Sequence, residues 1–177
     1  MKYLRALMVL AFASALAACG GGGSSGGGGS ANTASDGVYN GAVQITVRSG
    51  SYVDTGTYAM QVTIGGGRAA VNVGTVNGSA PLSADGLNFS VPATGSNSEN
   101  GVTCTTNDVY TGTITGNQAR GNVSGSMTCT QGGTRYLFSL SGPFVTTKDG
   151  ASSARGMSEN FLVDRFNAFL ETQNPAN

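Results

Sequence analysis

The stretch VTCTTNDVYTGTITGNQARGNVSGSMTCTQ, residues 102–131, has two runs of alternating apolar and polar side chains around Gly116–Asn117. A period of two is typical of half-buried β-strands, and a Gly-Asn dipeptide between such runs indicates a tight hairpin turn. A two-residue turn at this dipeptide brings inward side chains opposite one another across the hairpin. The predicted pairs are Ile114 with Ala119, Gly112 with Gly121, Tyr110 with Val123, Thr106 with Met127, and Cys104 with Cys129.

The hairpin places two of the three cysteines face to face. Counting outward from the closing pair, Cys104 and Cys129 occupy a non-hydrogen-bonded pair, where Cα atoms lie about 4.5 Å apart, a separation that a disulfide accepts. A metal site or a catalytic thiol is disfavoured, because the chain contains no histidine and two cysteines alone make a poor zinc site. The register therefore predicts a Cys104–Cys129 disulfide.

Asp108 is an acidic residue at an inward position of this hairpin, opposite Gly125. A β-bulge that rotates the side chain to solvent is the usual explanation, and we expect one here. The alternative is a polar group inside a cavity, which is costly unless it is hydrogen-bonded.

The same register continues into the next strand. A turn at Gly132–Gly133 sets Cys129 opposite Tyr136, Met127 opposite Phe138 and Gly125 opposite Leu140.

Alternation also predicts strands before residue 102. The apolar residues Tyr39, Val43, Ile45 and Val47 share one parity, and Tyr58, Met60, Val62 and Ile64 repeat the pattern after a predicted loop at Ser49–Thr55. A turn at Gly65–Gly66 predicts the pairs Val62 with Ala69, Met60 with Val71, and Tyr58 with Val73.

A weaker hairpin is predicted over Val76–Val91, with its turn at Ala84–Gly86. Pro81 lacks a backbone donor and suggests a sheet edge or a break. The polar residues of Thr94–Gly101 predict a loop.

These patterns give the fold class: an all-β, antiparallel up-and-down meander of seven to eight strands, with one C-terminal α-helix. We expect the domain to span 36–145 and to close into a small barrel, because an open meander leaves two exposed edges. A β-sandwich is the alternative. The barrel resembles those of lipocalins and of outer-membrane surface lipoproteins in outline only, without a shared residue motif.

Residues 146–177 are predicted to form a linker and a helix. Thr146–Gly156 is polar, and Met157–Thr172 has a helical apolar stripe of Leu162, Phe166, Phe169 and Leu170, with Ser158 as its cap and Glu159 in its first turn. The stripe is expected to pack on the barrel wall or plug one end. The alternative is a docking helix for a partner or a membrane surface, although Arg165 is its only basic residue.

The N-terminus has the three parts of a secretory signal over 1–18: basic Lys2 and Arg5, an apolar run too short to span a bilayer, and small residues before Cys19. Leu16-Ala17-Ala18-Cys19 resembles the lipobox of bacterial lipoproteins. The resemblance implies a diacylglyceryl group on the Cys19 sulfur, cleavage after Ala18 and acylation of the new N-terminus.

Acyl chains on Cys19 would anchor the protein in a membrane, since two or three chains hold stably where one does not. Gly20, rather than aspartate, follows the cysteine, and the sorting rule of such lipoproteins then implies the outer membrane of the cell envelope. Residues 19–35 are rich in glycine and serine and are predicted to form a flexible tether. An exported protein meets an oxidising compartment, which favours the predicted disulfide.

Composition restricts the function classes. Residues 36–177 carry nine acidic and seven basic side chains, a net charge of −2, which disfavours nucleic-acid binding. The chain has no histidine to activate a nucleophile and no Gly-Lys-Ser/Thr phosphate loop, so we predict neither an enzyme nor a cofactor.

Two functions remain. The first is a binding or structural role in the envelope through a macromolecular partner. The second is a lipocalin-like carrier of a small apolar ligand, with Tyr110, Phe138 and Asp108 as the candidate ligand-binding residues. Inward Gly112, Gly121, Gly125 and Ala69 would leave room for a ligand, or would let the walls approach.

Overall fold

The chain folds into a closed, eight-stranded antiparallel barrel in which each strand pairs with its neighbours in sequence and β8 pairs with β1. The computed structural model describes residues 35–150 and 161–173. The elements are β1 (Gly37–Ser49), β2 (Tyr52–Gly65), β3 (Arg68–Val73), β4 (Val76–Pro81), β5 (Asn88–Glu99), β6 (Val102–Thr115), β7 (Gln118–Gln131), β8 (Thr134–Lys148) and α1 (Phe161–Gln173). The predicted fold class is confirmed, and the closed barrel replaces the sandwich.

Several predictions concern residues outside the described ranges. These are the signal peptide over 1–18, the lipidated Cys19, the tether through residue 34, and the helix start at Met157 with its Ser158 cap and Glu159. The described part of the helix begins at Phe161 and ends at Gln173. Ser35, placed in the tether by the sequence, is buried, and its carbonyl accepts a hydrogen bond of 2.8 Å from the Tyr39 hydroxyl.

The β6–β7–β8 register is confirmed throughout. All five pairs predicted for the first hairpin occur, as do the three pairs between β7 and β8. Along β6, buried inward residues alternate strictly with exposed outward residues. This half of the barrel is therefore regular, with long strands and two-residue turns.

The β2–β3 register differs from the prediction. The turn is at Gly66–Gly67, so Val62 faces Val71 and Ile64 faces Ala69. Both turn glycines have positive φ, 59° and 73°, as the favoured two-residue hairpin turn requires. The apolar residues keep their predicted parity, because the correction moves each partner by two positions.

Two predicted loops are strands. Gly50 and Ser51 make a tight turn, and β2 begins at Tyr52 rather than after Thr55. β5 continues to Glu99 and turns at Asn100–Gly101, where both residues have positive φ. Its polar Asn97 points inward and accepts a hydrogen bond of 3.3 Å from the Thr75 hydroxyl. This hydrogen bond lets an amide occupy an inward position. A search for alternating apolar residues does not detect such a position, so this part of the strand was predicted as a loop.

β8 is longer than predicted. The domain boundary expected at residue 145 falls inside this strand, which runs to Lys148 with Phe144 and Thr146 buried. Pro143 is tolerated because the β1–β8 ladder is interrupted between the pairs Val43–Phe144 and Thr46–Ser141, where a missing backbone donor is not needed.

β3 and β4 are short, and Pro81 ends β4 as the sequence suggested. We call the end of the barrel with the β1–β2, β5–β6 and β7–β8 turns the helix end, and the opposite end, where β1 begins, the N-terminal end. Pairing of β2 with β3 starts at Gln61, so within the described ranges Tyr52–Met60 of β2 has no partner strand on that side. Helix α1 lies at this end of the barrel.

Candidate functional site

The three candidate ligand-binding residues are all buried in the lumen, but they occupy two places. Tyr110 and Asp108 lie two positions apart on β6, and the Tyr110 ring is 6.3 Å from the Phe144 ring, centroid to centroid. Phe138 on β8 instead contacts helix α1, with its ring 5.1 Å from that of Phe169. The structure thus assembles a polar pair and, separately, an aromatic cluster.

Asp108 points into the barrel, and the expected bulge is wrong. The ladder continues without interruption through the pairs with Ala93 on β5 and Gly125 on β7, and the residue is only 4% exposed. The Thr106 hydroxyl donates a hydrogen bond of 2.7 Å to Asp108 Oδ1. Burial raises the pKa of the carboxyl to about 6, and the Thr106 hydrogen bond opposes this shift.

Gly125 explains why no bulge is needed. A Cβ atom on Gly125 would lie 2.1 Å from Asp108 Oδ1, a distance at which atoms overlap. Glycine therefore makes the space that the carboxyl occupies. The sequence did not decide whether inward glycines leave room for a ligand or let the barrel walls approach. At Gly125, the missing side chain leaves room for the Asp108 carboxyl of the neighbouring strand.

Tyr110 is the second member of the polar pair. Its side chain is completely buried, and its hydroxyl has no hydrogen-bond partner within the described ranges. Burial, followed by the charge of Asp108, raises the pKa of the hydroxyl, so it stays protonated and remains a donor at physiological pH. Tyr39, which is equally buried, differs because its hydroxyl donates a hydrogen bond to the Ser35 carbonyl.

Two other inward glycines face aromatic rings rather than open space. A Cβ atom on Gly112 would lie 2.5 Å from Phe89 Cζ and 2.8 Å from Phe144 Cζ, and one on Gly121 would lie 2.7 Å from the same Phe144 atom. The two rings stack with their centroids 6.1 Å apart. The room predicted at Gly112 and Gly121 is therefore filled by Phe89 and Phe144.

Helix α1 fills the helix end of the lumen. Its buried residues include the predicted Leu162, Phe166 and Phe169, with Leu170 partly buried against the same core. Phe166 and Phe169 each contact inward rings of β8, with centroids 4.9–6.2 Å apart. Of the two roles that the sequence allowed for this helix, the plug is the one observed.

Arg165 connects the helix to β2. Its guanidinium forms a salt bridge with Asp54 and donates to the Tyr58 hydroxyl. The guanidinium carbon also lies 5.4 Å from the centroid of the Tyr58 ring, a cation–π distance. No structural role was predicted for Arg165, because its partner Asp54 is 111 residues away and no local pattern relates the two.

The predicted disulfide is present. Cys104 and Cys129 are bonded, with Cα atoms 4.0 Å apart and a sequence separation of 25. Cys129 faces Tyr136, and the Tyr136 ring contacts Phe166 and Phe169 of the helix. The disulfide therefore ties β6 to β7 at the end of the barrel that the helix occupies.

Comparisons with protein-family models, with curated proteins and with solved structures found no match for this chain. In the described ranges, no helix has the length and apolar character needed to cross a membrane. The same residues contain no group of three or more histidine, cysteine or acidic side chains placed to hold a metal ion. The polar pair combines a buried carboxyl, whose pKa is raised to about 6, with a buried phenol.

Proposed function

We propose that the protein is a non-enzymatic lipoprotein of the bacterial cell envelope, anchored in the outer membrane through Cys19. Its barrel would serve in binding or envelope structure through its outer surface. The lipobox resemblance supports the anchor, and the β-barrel with its disulfide is compatible with a domain that works outside the cytoplasm.

The main reason to propose binding on the outer surface is that side chains already fill the lumen. Phe89 and Phe144 cover the inward glycines, and helix α1 inserts Phe166 and Phe169 between the inward rings at the other end. A carrier of drug-sized ligands needs an internal pocket of about 300–1,000 Å³. Packed side chains at both ends of the lumen favour a partner that contacts the outside of the barrel.

The outer wall has the chemistry of a water-facing surface. The outward positions of β6 are exposed and mostly threonine: Thr103, Thr105, Asn107, Val109, Thr111, Thr113 and Thr115. Threonine and asparagine offer hydrogen bonds and little charge, so a protein or glycan surface fits this wall better than a strongly charged polymer.

The lipocalin-like carrier is the second candidate. It would require helix α1 to leave the lumen, which would break the Arg165–Asp54 salt bridge and separate the aromatic cluster. Phe138 would then line the vacated space.

Metabolic labelling tests the anchor. The wild-type protein should incorporate radioactive palmitate and fractionate with membranes, whereas Cys19→Ala should lose the label and leave the membrane fraction. Ser24→Ala, in the same glycine-rich stretch, is the control and should keep both properties. Persistent labelling of Cys19→Ala would overturn the lipoprotein assignment.

Native mass spectrometry of the full protein, released from detergent, separates the two functions. We expect the mass of the lipidated chain with one disulfide and no further ligand. A reproducible extra mass of small-molecule size that disappears in Phe138→Ala would support the carrier instead.

A further inference from the structure

We propose that the lumen contains a binding site for one small guest that both donates and accepts hydrogen bonds, a water molecule, between the Tyr110 hydroxyl and the Asp108 carboxyl. This goes beyond the proposed function, because it assigns the polar pair a ligand opposite in character to the apolar one expected from the sequence.

The first argument is the contrast between two buried tyrosines. Tyr39 and Tyr110 are both fully buried, and burying a hydroxyl is unfavourable unless it is hydrogen-bonded. The Tyr39 hydroxyl donates to a backbone carbonyl at 2.8 Å. The Tyr110 hydroxyl has no such acceptor among residues 35–150 and 161–173.

The second argument is the spare capacity of Asp108. An ionised carboxylate offers about four acceptor positions, and one hydrogen bond from Thr106 reaches Oδ1. Across the sheet, its neighbours Ala93 and Gly125 carry no side-chain donor. Tyr110, at the next inward position of β6, is the titratable group beside it, and the Asp108 charge contributes to the raised pKa of the Tyr110 hydroxyl.

The third argument is placement. Asp108 and Tyr110 occupy successive inward positions of β6, so their side chains project from the same face of the strand. A water between the two groups accepts from Tyr110 and donates to Asp108, and buried waters typically make about three hydrogen bonds. An apolar ligand could satisfy neither group.

The test measures the pKa of Asp108 by NMR in the full protein labelled with ¹³C at the aspartate carboxyl. Tyr110→Phe removes the group that holds the water, so the ionised carboxyl loses a donor and its pKa should rise. Tyr39→Phe is the matched control, because its hydroxyl is paired elsewhere, and it should leave the Asp108 pKa unchanged. An unchanged pKa in Tyr110→Phe would overturn the proposal.

Unfolding in urea gives a second test, because a bridged and an unpaired Tyr110 hydroxyl predict opposite changes in the stability of Tyr110→Phe. If the hydroxyl is bridged to Asp108, Tyr110→Phe should increase the unfolding equilibrium constant about three- to tenfold, the usual effect of a lost hydrogen bond. If the hydroxyl is unpaired, removing it relieves a cost, and the constant should fall. A fall would contradict the bridging water.

Discussion

The two ends of the lumen are filled in different ways. At the N-terminal end, the space over Gly112 and Gly121 is taken by Phe89 and Phe144, which belong to the strands themselves. At the helix end, Phe166 and Phe169 come from an element that follows the barrel in sequence and must dock into it. One half of the core forms as the strands pair, whereas the other depends on a separate helix.

This difference has an energetic consequence. The strand-borne rings cannot leave without opening the sheet, but the helix could in principle leave an intact barrel. What opposes its release is the burial of its apolar side chains, supported by the Arg165–Asp54 salt bridge. The two side chains of this salt bridge are still 22% and 27% exposed, so the pair contributes little compared with aromatic burial. Helix docking is therefore expected to depend mainly on Phe166 and Phe169.

Removing an aromatic ring of the docked helix is expected to have the largest effect on stability. Phe166 is fully buried and contacts Tyr136 and Phe138, so Phe166→Ala should lower the free energy of unfolding by about 3–5 kcal/mol, the usual cost of a large buried truncation. Urea denaturation measures this loss. Asn167→Ala, on the exposed side of the same helix, is the control, and equal effects of the two variants would refute the docked helix.

The disulfide is expected to be next in effect. Closing a loop of this length contributes about 3 kcal/mol in the chain-entropy model. The paired variant Cys104→Ala with Cys129→Ala should lose about that much stability by urea denaturation. The reduced wild-type protein is the comparison for this double variant and should lose a similar amount of stability. Peptide mapping without reductant tests the bond itself, and free thiols at both positions would show that it is absent.

The polar pair between the two filled ends should give a pH-dependent effect. Because the folded pKa of Asp108 is raised to about 6, its contribution to stability is fully present below the unfolded pKa near 3.9 and is lost as the pH rises through 6. Asp108→Asn removes this dependence.

We therefore expect Asp108→Asn to match the wild type at pH 4 and to be more stable by about 2–3 kcal/mol at pH 7. Urea titrations at several pH values measure the difference, with Glu171→Gln, an exposed position on helix α1, as the control. A difference between wild type and Asp108→Asn that does not change with pH would contradict a buried, titrating carboxyl.

A glycine substitution tests the packing at the end of the lumen that Phe89 and Phe144 fill. Gly121→Ala would place a Cβ atom 2.0 Å from the Thr111 carbonyl oxygen, and such overpacking costs about 1–3 kcal/mol. Gly65→Ala meets no atom within 4 Å and should be neutral or slightly stabilising. Thermal unfolding of both variants checks this, and tolerance of alanine at residue 121 would mean that the walls do not approach as described.

The sequence specified the regular half of the barrel well. Gly116–Asn117 and Gly132–Gly133 each permit one tight turn between long alternating strands, and both hairpins were predicted correctly. Three consecutive glycines after Ile64 permit two turns, so the choice of Gly66–Gly67 could not be made from local pattern.

The lumen was predicted less well because its contents depend on contacts distant in sequence. No cross-strand pair was predicted for Phe144, which lies next to the expected domain boundary at residue 145, so the ring that covers Gly112 and Gly121 was not recognised as part of the core. Asp108 was correctly assigned to the inward parity. Its burial, however, depends on the space beside Gly125, which register alone does not measure.

The central claim is that helix α1 is part of the packed core rather than a separable appendage. Hydrogen–deuterium exchange of the intact protein, followed by mass spectrometry, tests it most directly. Amides of Phe161–Gln173 should be protected to within about tenfold of those in β6, since opening the plug would expose its buried rings. Exchange of these amides at the rate of an unstructured peptide, while β6 and β7 stay protected, would contradict the account.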